Sequence, residues 1–211
     1  QTWIGLENYR TIFSGSMLGT VTKNTAVYCL IAIPGAIFFG LLLALALNAR
    51  IRGVALYRTA FFMSNITTTV AVCIVWTWLY NKDYGLINNV LNMLGLPSVR
   101  WISSQAWAMP SVAIMSIWQA MGYDMILLTA GLKGIDETYY EAAMIDGANG
   151  RQSFWRITLP MLTPTLFFLV VTHCISYIQM FDAAFIMTEG GPGYATRTIV
   201  MQIYNTAFEY F

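Results

Sequence analysis

Residues 26 to 48 read AVYCLIAIPGAIFFGLLLALALN, 23 positions without a charged side chain. A helix needs roughly 20 mostly apolar residues to cross a hydrocarbon core, and this run supplies them without interruption. Burying it in water would require a protein with polar surface to spare. Only 10% of the 211 residues are charged and the mean hydropathy is +0.59, against about 25% charged residues in soluble globular chains. A bilayer can solvate what water cannot, so the chain reads as all-α and membrane-embedded.

Three further segments are long enough to span. Residues 60–80 (AFFMSNITTTVAVCIVWTWLY) carry no charge, but Ser64, Asn65 and three threonines in the first half need polar partners, so that half is expected to face protein. Trp107 to Leu132 contains Pro110 and Asp124. Leu159 to Thr188 contains Pro160, Pro164, His173 and Asp182, and at that length it must tilt or begin before the membrane does. Trp76, Trp78, Tyr80, Trp101 and Trp107 fall near predicted ends, as interfacial aromatic belts do. The stretch WIGLENYRTIF reads as an amphipathic surface segment, with no signal-peptide pattern. The last run, TRTIVMQIYNTAFEYF, reads as continuing into something. Residues 1–211 are thus expected to be one transmembrane domain, a fragment flanked on both sides by further spanning helices.

Charge excludes some functions and orients the chain. A net charge of +1 gives no electrostatic case for a nucleic-acid partner. Cys29, Cys73 and Cys174 sit far apart inside apolar runs without CxxC spacing, and read as small hydrophobes. If the connections at 49–59 and 133–158 share a side, that side holds six of the 11 Lys and Arg residues, nearly a tie. Arg50, Arg52 and Arg58 crowd one short connection, which assigns both connections to the cytoplasm.

Seven of the 21 charged residues lie between Lys133 and Arg156. Asp136 and Glu137 suit the first turn of a helix, Ala142, Ala143 and Met144 favour its body, and Gly147 and Gly150 permit the reversal that ends it. A second helical run from Gln152 leads toward Pro160. This helix, glycine turn, helix arrangement fits either an amphipathic connection lying on the headgroups or a docking surface whose small alanines admit a close partner.

The string Glu141-Ala142-Ala143, three residues, Gly147, nine residues, then Ile157-Thr158-Leu159-Pro160 resembles the EAA loop of binding-protein-dependent ABC importer permeases. The strings NARIRGVALYRTAFF, YGLINNVLNMLGL, EAAMIDGANGRQSFWRITLPMLTP and MTEGGPGYATRTIV, in this order, are similar to the carbohydrate-uptake branch, and the resemblance covers nearly the whole chain. It implies a polytopic helical bundle of the type I ABC importer permease kind in a bacterial or archaeal inner membrane. In that family residues 133–158 would be the cytoplasmic coupling loop, with Glu141, Ala142, Ala143, Asp146 and Gly147 docking on a separate cytosolic ATPase. A second, homologous permease, an extracytoplasmic solute-binding protein and a sugar-like solute complete the implied partners. Met63-Ser64-Asn65 stands where relatives often have Leu-Pro, which implies a less kinked helix there. None of the three lysines sits in a phosphate-binding GxxxxGK[ST] loop, so ATP and its magnesium are assigned to the partner ATPase.

Ionisable residues inside a span are costly, which makes Asp124, His173 and Asp182 functional candidates. His173, Ser176, Tyr177 and Met180 fall on one helical face. That face could line a solute path, with aromatic rings stacking on a sugar and polar groups exchanging hydrogen bonds, or it could hold interhelical hydrogen bonds. The resemblance adds Trp118, Gln119, Met121, Gly122 and Tyr123, beside Asp124, as wall residues. No pair of acids offers a nucleophile and base, and one histidine with scattered acids is a weak metal set; no catalytic or metal residue is assigned. Beside the importer stand two rivals, a scaffold subunit without a transport path and a membrane-embedded enzyme using His173 and Asp124.

Overall fold

The computed structural model describes residues 5–48 and 53–209, the side chain of Asn8 excepted. Arg50 and Arg52, which carried the orientation argument with Arg58, lie outside the described residues, as do residues 1–4 and 210–211. Every regular element described is helical. In chain order these are α1 (Glu7–Ser14), α2 (Ser16–Asn48), α3 (Val54–Ile66), α4 (Thr69–Leu79), α5 (Leu86–Met93) and α6 (Ala108–Lys133). Then follow α7 (Glu137–Ile145), α8 (Gly150–Ser153), a π-helical turn (Phe154–Thr158), α9 (Leu159–Met161), α10 (Thr163–Ile178), α11 (Asp182–Thr188) and α12 (Ile199–Tyr204), with a closing π turn at Asn205–Glu209.

Two helices, α2 and α6, are individually long and apolar enough to cross a membrane, and two bent pairs raise the number to as many as four. The run at 26–48 is the greater part of α2, and 107–132 coincides with α6. The other two expected spans are broken. Residues 60–80 bend by 99° between α3 and α4, so the expectation of a less kinked helix after Met63-Ser64-Asn65 is overturned. Thr67 and Thr68 are both extended, with ψ of 138° and 136°, and the Thr67 hydroxyl donates to the Met63 carbonyl at 3.0 Å. A β-branched hydroxyl residue that can satisfy a helical carbonyl with its side chain offers the backbone a way out of the helix. The Thr67 carbonyl released by the break accepts from Gln119 Nε2 at 3.4 Å.

Residues 159–188 do not form one tilted helix either. The segment from Gly150 to Met161 is bent by 58° relative to α10, and α10 ends at Ile178. Pro160 and Pro164 each stand in the first turn of a helix, where the missing N–H costs nothing. At the far end the Met180 carbonyl accepts from the buried Thr198 hydroxyl at 2.8 Å. Met180 therefore lies beyond the helix, and the periodicity that put it on one face with His173, Ser176 and Tyr177 stops short of it.

The chain folds as two compact units. One comprises Ala32–Thr67 and Ser116–Ile175. Its apolar core gathers Ala44, Leu47, Met125, Leu128, Leu132, Leu162 and Leu169. Glycines bring the backbones together. A methyl group on Gly122 would strike the Phe61 carbonyl of α3, one on Gly40 of α2 would stand 2.5 Å from Asp124 Cβ, and one on Gly131 would stand 2.8 Å from Leu162 Cδ2. Helix α6 is thus approached closely by α2, by α3 and by the start of α10, the small-residue packing expected where the solvent is lipid.

The other unit comprises the stretch up to Ile31, Thr68–Met115 and the chain from Ser176 onward. Here α4 packs on α11. Tyr80 is buried, its ring 5.2 Å from Trp76 and 5.4 Å from Trp101, and its hydroxyl donates to the Ser111 carbonyl. Part of the expected aromatic belt is therefore a packed cluster. The loop after α11 is held by polar groups, with Asn24 Nδ2 donating to the carbonyls of Tyr194 and Arg197 and Thr188 bonded to Thr196.

Candidate functional site

The polar stretch at 136–158 folds as its residues suggest. Asp136 caps α7, accepting from the Thr138 N–H at 2.9 Å, and that bond holds its carboxyl below the usual carboxylate range. The helix ends in a Schellman turn. The Gly147 N–H donates to the Met144 carbonyl and the Ala148 N–H to the Ala143 carbonyl, with Gly147 at φ +79°. That φ is one side chains rarely adopt, which explains the glycine. Asn149 and Gln152 then form a reciprocal capping box, both bonds 2.9 Å, and start the next helix at Gly150, two residues earlier than the sequence suggested. The Tyr140 hydroxyl lies 2.9 Å from Thr158 Oγ1 and ties α7 to the chain that leads into α10.

Helix α7 buries none of its residues. Glu141 and Ala142 are exposed and Ala143 is half-buried, while Met144 and Ile145 are 75% and 87% exposed. Between α7 and the π turn lies a notch of about 320 Å³ lined by Ala143, Asp146, Gly147, Gln152, Arg156 and Ile157. Three of the five predicted docking residues line it. Gln152 and Arg156 were not singled out from sequence; the Asn149–Gln152 spacing, a capping-box signal, would have found the first.

The ionisable candidates fare differently. Asp124 is completely buried on α6, and His173 of α10 places Nε2 2.9 Å from both of its carboxylate oxygens. The pair is separated by 49 positions in sequence. Trp118 is 38% exposed; Gln119, Met121 and Tyr123 are half-buried, and Gly122 is buried against α3. In the other unit Ser176 is exposed, Tyr177 is half-buried with its ring 5.3 Å from Tyr28, and Met180 is buried. Asp182 is exposed in the first turn of α11, where a carboxylate complements the helix dipole. Among the described residues no three His, Cys, Asp or Glu side chains gather to hold a metal ion.

Among the described residues, apolar helices long enough to span and an exposed, charged helix-turn-helix define a polytopic membrane protein. The chain belongs to the binding-protein-dependent transport system inner membrane component family, whose pattern matches residues 36–210. It is 33% identical over 208 residues to the sulfoquinovosyl glycerol transport system permease protein of Agrobacterium fabrum, covering 99% of this chain and 68% of that one. It is 32% identical over 203 residues to the trehalose/maltose transport system permease protein of Thermococcus litoralis, covering 96% and 69%. Its fold matches a bacterial ABC transporter involved in import of the acidic polysaccharide alginate, with a TM-score of 0.82 at 25% identity, over 100% of this chain and 74% of that one. The chain is a multi-pass permease subunit of an importer, a transport component and not an enzyme.

Proposed function

We propose that this permease imports a sugar or sugar-like solute and that residues 133–158 are its cytoplasmic coupling loop. The surface of α7 carries the proposal: a helix that buries nothing, with two alanines beside exposed Met144 and Ile145, calls for a partner surface. Glu141, Ala142, Ala143, Asp146 and Gly147 form the docking surface for a separate cytosolic ATPase, which binds ATP and magnesium. A homologous second permease and an extracytoplasmic binding protein complete the assembly in a bacterial or archaeal cell membrane. The relatives support the solute class, since their names specify sulfoquinovosyl glycerol, trehalose and maltose, and lactose in Rhizobium radiobacter.

In the first unit the solute meets α6 at Trp118, Gln119, Met121 and Tyr123; Gly122, expected beside them, is packed against α3. ATP closes the ATPase dimer, the coupling loop moves with it, and the cavity turns outward to receive solute delivered by the binding protein. The test is uptake of labelled oligosaccharide by vesicles containing the whole complex. Glu141→Lys is expected to abolish uptake while ATP hydrolysis and membrane insertion persist. Normal uptake would refute the docking assignment, and no uptake of any sugar by the unmodified complex would refute the solute class.

A further inference from the structure

We propose that the Asp124–His173 contact is the joint through which movement of the coupling segment reaches α6. This rests on the reading of residues 133–158 as the coupling loop. The path is continuous in one unit. Tyr140 on α7 is bonded to Thr158 at the end of the π turn, and Thr158 precedes α9 and the start of α10. Helix α10 then runs unbroken from Thr163 to Ile178, carrying His173 as a rigid element.

Besides the apolar core that Leu169 of α10 shares with Met125 and Leu128 of α6, two close contacts fasten α10 and the segment before it to α6. At Gly131 the hold is steric: an added methyl would meet Leu162 Cδ2 at 2.8 Å and Thr165 Oγ1 at 2.9 Å. Such packing resists approach but allows separation and small rotations. Seven residues earlier, about 10 Å along the helix, the hold is directional. The His173 ring is equidistant from both Asp124 oxygens at 2.9 Å, in a site where the two side chains are 9% and 0% exposed. Separating them would leave the fully buried Asp124 carboxylate without the imidazole it faces, so the joint is made or broken as a unit. The α6 backbone at Asp124 is itself held close to α2, because Gly40 leaves no room for even a methyl against Asp124 Cβ. Trp118, Gln119, Met121, Gly122 and Tyr123 lie within two turns of Asp124 on α6. A shift of α10 is therefore delivered to the helix proposed to meet solute. Asp124 and His173 act here as positioning residues.

The experiment uses the complete complex in vesicles and measures ATP hydrolysed per solute imported, together with the solute concentration for half-maximal uptake. Asp124→Asn and His173→Leu are each expected to raise the ATP cost per solute at least tenfold without changing the half-maximal concentration. The exchanged pair, Asp124→His with His173→Asp, is expected to return the ratio to within about threefold of normal. Should the single variants fail to assemble, Gly40→Ala, which displaces the carboxylate without deleting it, is expected to raise the ratio in the same direction. A raised half-maximal concentration with an unchanged ratio would overturn the joint in favour of direct solute contact. So would an unchanged ratio in the single variants and in Gly40→Ala. Gly147→Pro in the same vesicles isolates the underlying reading. If it uncouples while the Asp124 variants do not, only the joint fails; if it leaves transport normal, the coupling assignment itself fails.

Discussion

Helices α6 and α7 are joined by a few residues, yet they solve opposite problems. Helix α6 is crowded, with glycine contacts to α2 and α3 and a fully buried carboxylate bonded to α10. Helix α7 has no fully buried residue, meets its own chain through half-buried Tyr140, and leaves Met144 and Ile145 in the open. The same small residue types mean different things in the two places. On α6 they let backbones of one chain approach; on α7 they lie on the surface proposed to dock another. The contrast predicts that substitutions on α6 act on folding and those on α7 act on assembly.

The largest effect separates the two helices cleanly. Gly122→Ala would drive a methyl into the Phe61 carbonyl, a backbone atom that cannot rotate away. A cost at the upper end of roughly 1–3 kcal/mol is expected, read as a lowered melting temperature of the purified complex and a lower yield. Unchanged melting would show that α3 and α6 are farther apart than described. Next comes Ala142→Trp on α7, which is expected to leave melting within about 0.5 kcal/mol of normal, as for exposed positions, while ATPase recovered by copurification falls several-fold. Loss of melting temperature with full ATPase recovery would erase the comparison.

These two substitutions also show how much could be read in advance. The glycines of α6 were visible as letters, but their neighbours were not, because Phe61 and Asp124 meet Gly122 and Gly40 only once the helices are placed. The Glu141-to-Pro160 spacing was legible because the loop is local: cap, helix, glycine turn and second cap are each encoded within a few residues. The breaks at Thr67 and beyond Ile178 escaped notice for the reverse reason. No proline or glycine marks them, and the second is pinned by Thr198, 18 positions after Met180. Pairing of His173 with Asp124 was equally invisible across 49 positions, although each was marked as costly alone.

A smaller effect tests the tie between the two regions. Tyr140→Phe removes the bond to Thr158 and leaves a buried hydroxyl without that partner, a loss of about 1 kcal/mol. Hydrogen exchange is expected to quicken at the α7 amides and not in the middle of α6. Equal protection in both would mean the tie carries no load.

The smallest effect is at the Asp136 cap. Because its folded carboxyl is held below the usual range by the Thr138 N–H, its contribution is present above the unfolded value of about 3.9 and is lost as pH falls through the folded value. Protection of the first α7 turn is therefore expected to decline only in acid, and to be indifferent to pH in Asp136→Asn. A decline of equal size in that variant would assign the acid sensitivity to another group.

The π turn at Phe154–Thr158 bears on how much change of length such a loop tolerates. A wide turn of this kind holds one residue more than an α turn would, so it stores an insertion without disturbing the helices on either side. Deleting one residue there can close the turn into ordinary helix and leave the phase of α10 intact. The same deletion inside α10 would rotate everything after it by about 100° and carry the downstream side chains off their faces. A one-residue deletion between Phe154 and Thr158 should accordingly spare the bundle that the same deletion inside α10 would put out of register.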